Sequence, residues 1–113
     1  MITTIILFAV GALFGLHIMT HVLKSKPTPK VSVLLHGLLV VVALILTIIA
    51  AADNANGMLI GSLVLFVIAA LGGFVMVYID LGKKRNPPKG LAILHPILAA
   101  IGLVLLIIYA FGK

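Results

Sequence analysis

Four long apolar runs carry most of the chain, at about residues 2–23, 31–52, 58–80 and 91–111. Each is near the ~20 residues that cross a hydrocarbon core as a helix. Membrane-crossing strands would be about half as long and would alternate in polarity, which these runs do not. Backbone groups in lipid must satisfy one another within the segment, so the runs predict four transmembrane helices. The breaks between them are short and polar: residues 24–30 hold Pro27 and Pro29, residues 53–57 read Asp-Asn-Ala-Asn-Gly, and residues 81–90 hold Pro87-Pro88. Such breaks make consecutive helices antiparallel neighbours. The expected fold is all-α, a single four-helix transmembrane up-down bundle.

A second pattern is repetition. His36 and His95 lie 95 − 36 = 59 residues apart, and at the same offset Lys24, Pro29 and Lys30 match Lys83, Pro88 and Lys89. Apolar identities say little in lipid-facing helices, but a shared Pro-Lys-x5-His is informative. The bundle reads as two repeated helix hairpins, about 11–52 and 70–111, related by a pseudo-twofold axis along the membrane normal. At this offset His17 and His21 fall opposite Met76 and Asp80.

Composition sharpens this picture. Hydrophobic residues make up 64% of the 113 and charged residues 9%, against roughly 25% charged in soluble domains. The chain lacks the polar residues to cover a water-facing surface, so lipid is the expected partner. Its net charge of +6 is concentrated in the first and third breaks, and the second has Asp53 and no basic residue. The positive-inside rule then places both termini outside (N-out/C-out) in a multi-pass protein of a bacterial inner (plasma) membrane. The N-terminus lacks the basic n-region of a signal peptide, so the first run is expected to be a retained span. No aromatic or polar surface accompanies the cations, which argues against nucleic acid. Cysteine is absent, removing thiolate chemistry, and glutamate is absent. Small four-helix drug exporters are similar in size but depend on a membrane-embedded glutamate, and no hydrolytic motif is present.

The candidate chemistry is histidine. His36 and His95 lie six residues inward of Lys30 and Lys89, and His17 seven before Lys24, about 9–11 Å from the basic breaks at 1.5 Å per residue. His21 is shallower. Ionisable side chains in membranes are functional candidates by default. Helices 2 and 4 of an up-down bundle sit diagonally, roughly 11–14 Å apart given 8–10 Å between neighbours. That leaves room for two inward imidazoles with iron between them, and Gly11, Gly15, Gly72, Gly73, Ala99 and Gly102 are small enough to admit a macrocycle. Lys24, Lys83 and Arg85 are candidate partners for its propionates. His17 and His21 share a helix face as candidates for a second site. Alternatively, His17 joins His36 and His95 in a three-histidine zinc or copper centre. Asp80 is a candidate to orient His21 through a hydrogen bond.

Leu35-His36-Gly37, Leu94-His95-Pro96 and His17-x3-His21 together resemble small b-type membrane cytochromes, four-helix proteins with haem held by histidines from different helices. The resemblance is one of pattern and covers the architecture. It implies haem b with His36 and His95 as axial ligands, and a function in electron transfer, with quinone as a partner and quinol-linked oxidoreduction as the enzymatic role kept open. The duplicated hairpin is also similar to uncharacterised small bacterial four-helix membrane proteins, a likeness that implies no activity. Two readings stand beside the cytochrome: a histidine-ligated zinc or copper carrier or sensor, and a structural or assembly subunit. The apolar exterior suits a homodimer or docking on a larger membrane complex.

Overall fold

The computed structural model describes residues 1–112. Four helices, α1 (Ile2–Leu23), α2 (Lys30–Asp53), α3 (Gly57–Val77) and α4 (Lys89–Phe111), run up and down in sequence. Each is long and apolar enough to cross a membrane. The rod measures 44 × 21 × 20 Å, a length that matches the ~40–45 Å of a bilayer with its headgroups. The chain is a multi-pass membrane protein, and its outer face is made of side chains such as Leu13, Val31, Leu71 and Phe74, each more than 60% exposed.

Local chemistry sets the ends. Pro29 and Pro88 precede α2 and α4, where a missing N–H is harmless and the fixed φ starts a helix. Asn56 caps α3 by accepting from the amides of Met58 and Leu59, groups that would otherwise be orphaned at the helix start. Ser25 and Lys84 take the left-handed conformation, with φ of 55° and 54°. The amide just beyond each closes back on the preceding helix, Lys26 to the His21 carbonyl and Arg85 to that of Ile79.

The third span departs from the expected 58–80. Beyond α3 the helix widens into a π-helical turn, Tyr78–Gly82. Comparing the two hairpins explains it. The Lys24 and Lys83 amides, 59 residues apart, bond the Thr20 and Tyr78 carbonyls, which are 78 − 20 = 58 apart. Phe8 and Phe66 face each other, and Gly15 and Gly73 contact the two inner histidines; both pairs again differ by 58. The first helix of each hairpin therefore repeats at 58 and the second at 59, and the π turn absorbs the extra residue. In this register His17 and His21 correspond to Val75 and Ile79, one residue away from the Met76 and Asp80 that a uniform offset suggests. The buried Val22 corresponds to the buried Asp80.

α1 packs on α2 and α3 on α4, and α1–α4 and α2–α3 contacts join the hairpins. Across the diagonals, α1 with α3 and α2 with α4, Cα atoms come nowhere within 8 Å among the described residues. One diagonal is bridged by Phe8 and Phe66, stacked at 3.9 Å between centroids. Around them lie Ala43, Leu59 and Leu106, all fully buried. Helices approach closely where residues are small. A Cβ on Gly11 would meet Val40 at 2.8 Å, and one on Gly102 would meet the Phe66 ring at 3.3 Å, the tight small-residue packing that replaces hydrophobic drive in lipid. Polar groups inside are paired. Ser62 donates to the Gly102 carbonyl and Thr47 to that of Ala43, and among the described residues no buried side-chain nitrogen or oxygen lacks a partner.

Removing the Phe66 ring should loosen both hairpins at once. Phe66→Ala is expected to lower the midpoint of denaturation in a detergent titration. Its cost should stay below the about 3–5 kcal/mol of such changes in water-soluble cores, because lipid solvates apolar surface and only packing is lost. Phe74→Ala, on a ring 65% exposed, should leave the midpoint unchanged; equal losses from the two would contradict this packing.

Candidate functional site

The inner histidines occupy the other diagonal. His36 on α2 and His95 on α4 approach to 6.1 Å between ring centroids, with planes 77° apart. Each is anchored within its own hairpin. His36 Nδ1 bonds the Gly11 carbonyl of α1, and His95 Nδ1 the Ala69 carbonyl of α3, both at 2.7 Å. A carbonyl only accepts, so Nδ1 carries the proton and donates. In the neutral ring Nε2 then holds a free lone pair, and the described residues provide neither Nε2 with a hydrogen-bond partner.

Glycine makes this anchoring possible. A Cβ at Gly15 would meet His36 Cε1 at 3.0 Å, and one at Gly73 would meet His95 Cε1 at 3.2 Å. These glycines seat the imidazoles themselves. Gly11 admits Val40, Gly102 lies against Phe66, and Gly72 has nothing near it. None of these four contacts provides a macrocycle slot. The carbonyl held by each Nδ1 belongs to a residue four positions, or about one turn, deeper than the glycine beside Cε1.

The outer histidines form a separate local arrangement. His17 is exposed, and its Nδ1 pairs with the Ser32 hydroxyl at 2.9 Å. His21 Nδ1 donates to the His17 carbonyl at 3.0 Å, and the two rings meet edge to face at 4.9 Å. Among the described residues no three of His, Cys, Asp and Glu gather as a group able to hold a metal ion. The structure thus does not assemble His17, His36 and His95 into one centre.

The candidate propionate partners are also dispersed. Lys83 lies over the Tyr78 ring, 5.7 Å from its centroid. Arg85 lines an open cavity with Lys30 and Asp80, and Lys24 borders a smaller cleft with Thr20 and His21. Asp80 is not bonded to His21. Its carboxylate is 6% exposed and accepts from the Thr28 hydroxyl at 2.6 Å and the Lys30 ammonium at 2.7 Å. Lys30 also donates to Thr28, which closes a three-membered polar cluster. With the Asn86 amide donating to the Lys26 carbonyl, this cluster ties the two basic loops together across the hairpins.

The sequence reading did not find that cluster. A signal was available: the chain has only two acidic residues, and the Phe and Gly pairs repeat at 58 where the Lys and His pairs repeat at 59. That mismatch marks an inserted residue beside Asp80.

No protein-family model matches the chain, and neither a curated protein nor a solved structure does.

Proposed function

We propose that the protein is a small b-type membrane cytochrome in which His36 and His95 are the axial ligands of one haem. One observation carries this reading: two imidazoles from the repeated hairpins meet across the bundle, each with Nδ1 fixed on a carbonyl and Nε2 free. Metal-bound histidines commonly donate the other ring nitrogen to a carbonyl in this way, which sets tautomer and basicity. The donor set fits iron. The 6.1 Å between centroids is close to the roughly 6 Å that two imidazoles require when each binds one metal at about 2 Å. The macrocycle fits less closely, because the glycine contacts of α1 and α3 with the rings leave no slot for it. Ligation of one iron by both rings would require α1 and α3 to give way around the macrocycle.

Haem so held would supply one-electron chemistry, which suits electron transfer between a membrane quinol and a partner. The roles of this chain's residues are narrower. Gly15 and Gly73 let the rings lie against α1 and α3, and the Gly11 and Ala69 carbonyls hold their protons. A second reading has its own support. The same Nδ1 bonds tie α2 to α1 and α4 to α3, so the histidines serve equally as interhelical clasps in a structural subunit.

Protein purified after expression with ample haem is expected to show a Soret band and a reduced-minus-oxidised difference spectrum. His36→Ala and His95→Ala should each abolish both, whereas His17→Ala should retain them. A wild-type protein without a Soret band would reject the cytochrome reading. Stoichiometric zinc or copper without iron would favour the metal carrier, and loss of stability alone in the histidine variants the structural one.

The basic loops belong, in this account, on the cytoplasmic side of a bacterial plasma membrane. The absence of cysteine allows single reporters. Asn54→Cys should react with an impermeant thiol reagent on intact cells and Ser25→Cys only after permeabilisation; the reverse pattern would overturn the orientation.

A further inference from the structure

The π turn and the Asp80 cluster break the pseudo-twofold symmetry at the basic end, and the break creates a site. In the first hairpin the position equivalent to Asp80 is Val22, and in the second the position equivalent to Thr28 is Pro87, both buried and apolar. Only one side of the bundle therefore carries the polar cluster. Beside it opens a cavity of about 410 Å³, lined by Lys30, Asp80, Leu81, Lys84, Arg85 and Asn86. π turns recur at functional sites because the extra residue redirects a side chain. Here the extra residue accompanies a carboxylate at a buried position.

The charges in the cavity do not cancel. Asp80 is matched by Lys30 at 2.7 Å, and among the described residues Lys84 and Arg85 have no acidic partner at the same opening. Left-handed Lys84 and the bond from the Arg85 amide to the Ile79 carbonyl fix the loop that carries both cations. Asn86 is held to the opposite loop through Lys26, so the rim is tied to both hairpins. Leu81, 49% exposed and at the end of the third span, adds an apolar wall at the level where acyl chains meet headgroups. A fixed pair of cations above a lipid-facing leucine suits an amphipathic anion better than a freely soluble one.

We propose that this cavity binds the phosphate headgroup of an anionic phospholipid, with Lys84 and Arg85 as the charge-bearing contacts and Leu81 against the lipid chain. Lys30 and Asp80 form the neutral, hydrogen-bonded floor. Basic pockets at the ends of membrane helices are a known means of headgroup recognition.

The test is native mass spectrometry of the full chain in detergent with added phosphatidylglycerol, phosphatidylcholine or inorganic phosphate. The expected result is retention of phosphatidylglycerol over phosphatidylcholine. Loss of both cations in Lys84→Gln/Arg85→Gln should lower that retention at least about tenfold, the order of one hydrogen bond to a charged group. Lys24→Gln/Lys89→Gln, with the same loss of charge away from the cavity, should change it less than twofold. Equal losses in the two double variants would replace the site with diffuse surface attraction. Retention of inorganic phosphate at lipid-like affinity would assign the cavity to a free anion, and no preference between the two lipids would remove the proposal.

Discussion

A polar group carried into hydrocarbon must bring its partner with it, and this requirement organises the bundle. Water is absent from the core of the bilayer, so an unmatched donor or acceptor there costs several kcal/mol by the order of magnitude set for backbone groups. The chain meets most of the demand with few groups, and the two inner Nε2 atoms, which have no partner among the described residues, are not buried. Ser62 and Thr47 spend their hydroxyl protons on carbonyls, Asp80 is surrounded by Thr28 and Lys30, and His36 and His95 give their Nδ1 protons to the neighbouring helix. Each of these bonds also fixes a geometry. The two imidazoles come to one level because equivalent carbonyls hold them, and they meet because the helices that carry them share a diagonal.

Symmetry gives the pair its placement, and a single inserted residue gives the bundle a distinct side. Both hairpins seat an imidazole on a glycine, and each contributes a phenylalanine to the central stack. Past that layer the repeats diverge. The π turn lengthens the second hairpin by one residue and a carboxylate takes the place of Val22. The two basic loops become linked through Asp80 with Lys30 and Asn86 with Lys26. The result is a symmetric interior beneath an asymmetric polar end.

The architecture was legible in the sequence because lipid imposes simple rules. Run length gave four spans, short breaks gave the up-down order, and the Pro-Lys-x5-His repeat identified the two histidines that meet. Finer features were not legible, for physical reasons. A uniform offset hid the register change because apolar residues match at almost any offset. The glycines looked like space for a ligand, but space in a tight bundle is taken by whichever side chain lies nearest, here the imidazoles, Val40 and Phe66. Lys24, Lys83 and Arg85 share a level, yet level does not fix azimuth, and they face different neighbours. Asp80 found Lys30 because Thr28 and Lys30 lie across the hairpin boundary, a contact that no local spacing encodes.

The proposed ligation by His36 and His95 depends on the state of two ring nitrogens. The most direct measurement is the nitrogen spectrum of the apoprotein in lipid, with ¹⁵N in the histidine rings and assignment by His36→Gln and His95→Gln. Both inner rings should show a protonated Nδ1 and an unprotonated Nε2, with Nε2 the atom perturbed when haem is added. Rings protonated at Nε2, or Nε2 signals indifferent to haem, would contradict it.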